Sequence, residues 1–372
     1  MRHLGLTMQT AYADLVQQCL DADFDRDYPE NGSFYRQTKR GRDYWYYSGY
    51  DAAGGKYTKY AGPADDPELT GRVERFRQIK SSYRQRRKIV RALVSAGLPA
   101  PEPFTGELLD ALARAGLFRL RACLVGSVAY QTYSGILGVE LPGALLRTAD
   151  ADLAQFLSIS AEVGDSTPPM LEVLRSVDST FAEIGHAMDA RRTIAYRNDA
   201  GYRVEFLTPN RGSDDYAGQP PVPRLRGGRP AGKAAARPLR FLDFLIWQPL
   251  RAVVLHGAGV AVRVPAPERY AVHKLIVATR RRNADAAKVE KDLAQAAALV
   301  EAMAQGRRHD LLDAWTEAWE RGEAWRQALG RGRDMLPKVA RALLGEAVAR
   351  AAAAADEDPT AIGFEAADAT GA

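Results

Sequence analysis

The sequence predicts an α+β protein: a small mixed β-sheet core with helices, an N-terminal β-hairpin plus a long basic helix, and an all-helical C-terminal region. Three observations carry this. Short apolar runs separated by hairpin turns fill the middle of the chain. Helical patterning dominates both ends. Some middle strands are joined by tight turns and others by helices, so the sheet must mix antiparallel and parallel pairs.

The elements follow in order. Residues 7–22 read as a short amphipathic helix. "SFYRQTKRGRDYWYYSGY" and "KYTKYAGP" flank "DAAGG", and alternating aromatics and charges around a Gly-rich turn read as a hairpin. "DDPELTGRVERFRQIKSSYRQRRKIVRALVSAG" has acids and Pro at its start and Gly97 at its end, the marks of a helix. "LPAPEP" breaks it and sets a boundary near 98–104. Then come a helix over 105–115, a strand over 118–125, a helix over 127–137, a strand around 150–158 and a helix around 168–184. "RTIAYR" and "YRVEFLTP" form a hairpin through "NDAG". Residues 209–237, rich in Gly, Pro and Arg, read as an exposed loop or flap. "RAVVLHGAGVAVRVP" is another hairpin, and helices run from Pro267 to about 352. The small-residue acidic tail, 353–372, reads as disordered.

Composition narrows the class. Apolar content is 46% and charged content 26%, ordinary for a soluble globular chain. No window approaches the roughly 18 apolar residues of a membrane span. The N-terminal "MRHLGLTMQTAYADL" has no apolar signal core, so a cytoplasmic location is expected. Two cysteines, Cys19 and Cys123, exclude a disulfide framework and a zinc-ligand spacing. The net charge of +5 is modest, but the basic residues cluster in the first third, which invites a polyanion.

The chemistry concentrates in three short stretches. In "TADADLAQF", Asp150 and Asp152 lie two apart on a strand and share one face. Paired carboxylates repel and call for a cation; an all-oxygen set suits magnesium, which completes its shell with water and substrate phosphates. In "YRVEFLTP", Glu205 sits between Val204 and Phe206, which face the other way. If that strand neighbours the Asp150 strand, three acids converge, the donor set of a two-metal phosphoryl-transfer site. In "CLVGSVAYQTY", a strand ends in Gly126-Ser127 and a helix begins. Gly126 would let a phosphate approach the backbone, and Ser127 could cap the helix and bond a phosphate oxygen. Taken singly these features have plainer readings: an N-cap, a solvated loop, an edge-strand charge. Their order and context are the argument.

Together, "LVGSVAYQTY", "TADADLAQF" and "YRVEFLTP" resemble the signature of the DNA polymerase beta nucleotidyltransferase superfamily. Within it the chain is similar to a bacterial nucleotidyltransferase group distantly related to abortive-infection toxin nucleotidyltransferases. The superfamily motifs cover about 120–210. The closer similarity extends from the aromatic hairpin near 32 to about 300, including "VPAPERYAVHKLIVATRRR".

The resemblance implies transfer of a nucleoside monophosphate from an NTP to an acceptor, with pyrophosphate leaving. It implies two Mg2+ ions on Asp150 and Asp152, with Mn2+ as an alternative. Glu205 would hold the metal nearer the attacking group, although many relatives carry Asp there. Gly126, Ser127 and Lys274 would bind the triphosphate. Lys274 lies off the apolar stripe of Val272, Leu275 and Ile276, and a solvated lysine is its plain reading. His273 reads equally as a packed core histidine. Asp292 reads as an i, i+4 ion pair with Lys288, and in toxin relatives an acid in a comparable helix has a proposed catalytic role.

The chain then divides into 1–100, an N-terminal helix, hairpin and basic helix; 101–264, the nucleotidyltransferase core; 265–352, a helical C-terminal domain; and 353–372, a disordered tail. Tyr and Trp interleaved with Arg and Lys in the hairpin are the composition of a nucleic-acid contact surface, and equally of a strand with a core side. RNA or tRNA is the favoured acceptor, a protein hydroxyl the next, with an antitoxin as a further partner and no membrane. The alternatives are a nucleic-acid-binding protein with a degenerate core, and a small-molecule (antibiotic) nucleotidyltransferase.

Overall fold

The structure is a computed structural model. It describes residues 1–21, 32–39, 41–50, 55–118, 122–143, 150–154, 169–186, 189–210, 236–281 and 286–364.

Helix α1 (Leu6–Asp21) precedes three strands, β1 (Ser33–Lys39), β2 (Arg42–Tyr50) and β3 (Lys56–Pro63). The expected hairpin is therefore a three-stranded antiparallel sheet, ordered β1-β2-β3, because "KYTKYAGP" also pairs with the central strand. One face of this sheet is covered by helix α2 (Pro67–Ser95): Phe34 and Tyr47 meet Phe76 edge-on at ring distances of 5.0 and 5.9 Å. The Trp45 indole N–H donates to Thr70 Oγ1 at 3.1 Å. Helix α2 has 29 residues, about 43 Å at 1.5 Å per residue. Its C-terminal part is anchored elsewhere: Val90 and Leu93 pack with Tyr12, Leu15 and Val253 in a separate apolar cluster. The N-terminal sheet thus packs on the first part of α2, and the last part of the same helix packs on a different cluster.

Helix α3 (Pro103–Arg114) leads to the central sheet. Its strands are β4 (Cys123–Val125), β5 (Asp150–Ala154), β6 (Ala182–His186), β7 (Asp189–Arg197), β8 (Arg203–Pro209) and β9 (Arg237–Leu239). Their order is β4-β5-β8-β7-β6, with β9 beside β8. The pairs β5–β8 and β8–β9 are parallel and the rest antiparallel, the mixed sheet expected. Helix α4 (Gly126–Leu137) begins where β4 stops. The strand expected over 118–125 is shortened to β4, whose Cys123, Leu124 and Val125 are all buried.

The helix expected around 168–184 is corrected. Helix α5 covers only Met170–Arg175, and 182–186 is strand β6. The break is local: Asp178 Oδ1 accepts from the Thr180 N–H at 2.9 Å and from its hydroxyl at 2.7 Å, a turn that competes with the helix. The loop expected over 209–237 lies mainly outside the described residues.

The short helix α6 (Leu242–Leu245) precedes the hairpin of β10 (Leu250–Val254) and β11 (Val260–Val264). The helical region follows: α7 (Pro267–Ala278), α8 (Ala286–Met303), α9 (Arg308–Glu320), α10 (Glu323–Asp334) and α11 (Lys338–Ala355). It has its own core around Trp315, Leu329 and Val348. The disorder expected from 353 is overturned for 353–364. Helix α11 runs to Ala355, and Pro359–Ile362 form a 3-10 turn. Ile362 accepts a 3.0 Å hydrogen bond from the Trp315 indole through its carbonyl, and Phe364 packs on the same ring at 4.7 Å. Two apolar side chains in an otherwise small-residue tail are what holds it down. No described helix is long and apolar enough to cross a membrane.

Candidate active site

The site is built on adjacent parallel strands. On β5, Ala151 and Leu153 are buried in the core, so Asp150 and Asp152 emerge on the opposite face. On β8, Val204 and Phe206 are likewise buried, and Glu205 emerges beside the aspartates. The register places Asp152 directly opposite Glu205, and Asp150 opposite Arg203.

Charge and burial together act on these acids. Burial raises the Asp152 carboxyl to about 7, with Asp150 and Glu205 adding repulsion and Lys274 and Arg203 relieving it. Glu205 has its own cations: Arg203 Nε lies 2.7 Å from Oε1, and Arg237 lies 3.9 Å from Oε2. Among the described residues, no group of three His, Cys, Asp or Glu side chains closes around a single point. The strand pair gathers Asp150, Asp152 and Glu205 at one edge, with the Glu205 carboxylate turned to arginine.

Strand β4 pairs with β5 on the other side, Val125 opposite Asp152, and ends at Gly126. Gly126 has φ +71, and a Cβ there would sit 2.9 Å from Asp152 Oδ2. The glycine is therefore required twice, by its backbone and by the neighbouring carboxylate. The helix cap differs from expectation: Val125 is the N-cap, with no side-chain cap hydrogen bond, so Ser127 sits inside the first turn rather than capping it. First-turn N–H groups left without a side-chain acceptor are the anion-binding feature of a helix start.

Helix α7 brings the cation. Val272, Leu275 and Ile276 are buried, and Lys274 points away from them. Its ammonium donates to Asp292 Oδ1 at 2.6 Å, and Arg281 Nε donates to Oδ2 at 2.5 Å. The Asp292 side chain is only 4% exposed, against 13% for Lys274. In place of the plain helix ion pair with Lys288, Asp292 is a buried carboxylate bridging Lys274 and Arg281. His273 is pushed down to about 3 by burial first and then by Lys274, so it is neutral.

Several residues escaped the sequence reading. The Tyr270 hydroxyl lies 3.0 Å from the Gly126 carbonyl and 3.2 Å from Gln295 Oε1, tying α7 and α8 to the glycine turn. Its phenol is raised well above the usual value, chiefly by burial, so it remains a donor. Lys291 is shifted downward, by burial first and then by Lys274, while Asp150 and Asp292 pull it back. Tyr270 shares its motif with Lys274, and Lys291 precedes Asp292, but neither spacing shows what it touches. Arg203 was readable two residues before Glu205.

The sequence profile of a family described as nucleotidyltransferase matches residues 104–320, more than half of the chain. The chain belongs to this nucleotidyltransferase family. The matched span takes in β4, α4, β5, β8, β9, α7 and α8, every element that carries the site. It begins at Phe104 rather than near 32, so the N-terminal sheet and α2 lie outside it. Nucleotidyltransferases transfer nucleoside monophosphates and generally use divalent metals. No curated protein matches the chain. Among solved structures, an antigenic nucleotidyltransferase-like protein from Paracoccidioides brasiliensis is similar at 13% identity and a TM-score of 0.29. That similarity covers 63% of this chain and 95% of that one, and it is too distant to argue from.

Proposed function

We propose that this nucleotidyltransferase works as enzymes of the DNA polymerase beta superfamily do. It would move a nucleoside monophosphate from an NTP to an acceptor hydroxyl, with RNA as the acceptor and pyrophosphate as the leaving group. The observation that carries this reading is Asp152 in register with Glu205 on parallel strands, one strand from the Gly126 turn.

The donor set fits a hard divalent cation. Asp150 and Asp152 offer only oxygen, and Asp152 is held near 7 by burial and by two neighbouring acids, a state that a cation relieves. Magnesium held by Asp150 and Asp152 would supply charge neutralisation on the phosphates. Two protein carboxylates are enough where substrate oxygens complete the shell.

The chain's own residues do the rest. Gly126, having no Cβ, would let a phosphate approach the backbone, and the uncapped first-turn N–H groups of α4 would meet it. Lys274 brings positive charge toward the triphosphate, and Asp292 holds it there. Arg203 orients Glu205, the third acid of the strand pair. The acceptor hydroxyl oxygen would bond to the α-phosphorus and give up its proton to water, while the bond from that phosphorus to the α,β-bridging oxygen breaks and its electron pair leaves with pyrophosphate. Positioning and electrostatics then supply most of the rate, as in phosphoryl transfer generally.

The Asp150→Ala/Asp152→Ala double variant tests the reading. It should lose transfer by at least about a thousandfold while keeping its fold, because removing clustered carboxylates relieves repulsion. Unchanged transfer by the folded variant would sink the mechanism.

A further inference from the structure

The outward face of the N-terminal sheet has no part in the site just described, and among the described residues no element packs on it. Side chains alternate along its strands. Trp45 and Tyr47 turn inward onto α2 and are 2% and 0% exposed. Tyr44 and Tyr46 turn outward. Tyr35, Tyr46 and Tyr60 lie in direct cross-strand register over all three strands. Their rings form a continuous row: Tyr35 to Tyr46 at 5.9 Å, Tyr46 to Tyr60 at 5.5 Å and Tyr60 to Tyr44 at 6.0 Å. The two ends of the cross-strand row are open, with Tyr35 40% and Tyr60 53% exposed.

Packing does not explain this row. Rings that fill a core lie on the covered face, and here that place is already taken by Trp45, Tyr47 and Phe34. The face is also positive. Lys39 donates to the Tyr46 hydroxyl at 2.8 Å and lies 4.9 Å from its ring centre. Arg42 opens the central strand on the same side. Asp43, the one acid in the three strands, points to the opposite face and accepts from Thr38. Rows of exposed rings edged with cations and free of acids match one chemistry, that of unpaired bases on a phosphate backbone. Exposed Gln37 and Thr58 on the same face add amide and hydroxyl groups that can meet a ribose 2′-hydroxyl.

We propose that the outward face of β1-β2-β3, centred on Tyr35, Tyr46 and Tyr60, docks single-stranded RNA by base stacking. The proposal rests on the acceptor reading above, names the surface that would hold that acceptor, and concerns binding rather than turnover.

The test is fluorescence anisotropy of labelled oligo(U) titrated with the full chain, without NTP. The variant is Tyr35→Ala/Tyr60→Ala, whose exposed rings support no core; circular dichroism confirms its fold. It should bind at least about tenfold more weakly, since each stacked base lost to alanine costs a comparable factor. Tyr35→Phe/Tyr60→Phe, which keeps the rings, should bind within about threefold of wild type. Oligo(dT) and a duplex RNA should both bind more weakly than oligo(U). Equal affinity of wild type and the alanine variant would overturn the proposal, and equal binding of oligo(dT) would overturn its assignment to RNA. If sedimentation shows a dimer that the alanine variant dissolves while oligo(U) binding is unchanged, the face is a self-association surface and the proposal fails. Asp150→Ala/Asp152→Ala should bind oligo(U) like wild type, so a failed catalytic reading and a failed docking surface give different results.

Discussion

Asp152 is where burial and charge act in the same direction. Its carboxyl is raised from 3.8 to about 7, so folding favours the protonated form. A folded value above the unfolded one stabilises below the unfolded value, and that contribution is lost as pH rises through about 7. In chelator-treated protein, the stability advantage of Asp152→Asn over wild type should therefore grow by about 2 kcal/mol between pH 5 and pH 8. Urea melts across that range measure it, and a pH-independent difference would show that Asp152 is not held as described. Tyr270 makes a second prediction at this scale. Tyr270→Phe keeps the ring among Tyr130 and Tyr133 but removes the hydroxyl from the Gly126 carbonyl. Stability should fall by about 1 kcal/mol, and KM for the NTP should rise more than kcat falls, because the turn proposed to receive the phosphates loses its tether. A kcat loss with KM unchanged would contradict that positioning role.

At the scale of elements, what local pattern determines was legible and what distant partners determine was not. Alternation alone placed Val204 and Phe206 opposite Glu205 and put Asp150 and Asp152 on one face, and the burial of Ala151 and Leu153 agrees with it. The adjacency of Asp152 and Glu205 depends on strand order, which no local period encodes. Asp292 shows the same limit. Its i, i+4 neighbour is visible in sequence, whereas Lys274 and Arg281 are 18 and 11 residues away and meet it only when α7 packs on α8. Helix α5 was overextended because the Asp178–Thr180 turn lies inside an otherwise helical composition. The tail gives this scale its own test. Composition suggested disorder, yet Ile362 and Phe364 close the Trp315 cluster, and Gly363, at φ +85, lies tight against Trp319. Truncation after Asp356 should cost about 3 kcal/mol through lost apolar burial, read as a lower thermal midpoint. An unchanged midpoint would return the tail to the disordered reading.

At the scale of the whole molecule, the candidate active site and the proposed docking face lie on different parts of the chain. The family match covers the central sheet and the helices that bring Lys274 and Asp292 to it. The aromatic sheet lies outside that match, at the end of α2 away from where the helix is anchored. The central claim is nucleotidyl transfer at the strand pair. The most direct measurement incubates the purified chain with magnesium and total RNA, using each NTP labelled first at the α- and then at the γ-phosphate, with Asp150→Ala/Asp152→Ala alongside. Nuclease-sensitive label should appear on RNA from an α-labelled NTP, with none from the γ-labelled form and none with the variant. Label from the γ-phosphate, or α-label that survives loss of both aspartates, would contradict it.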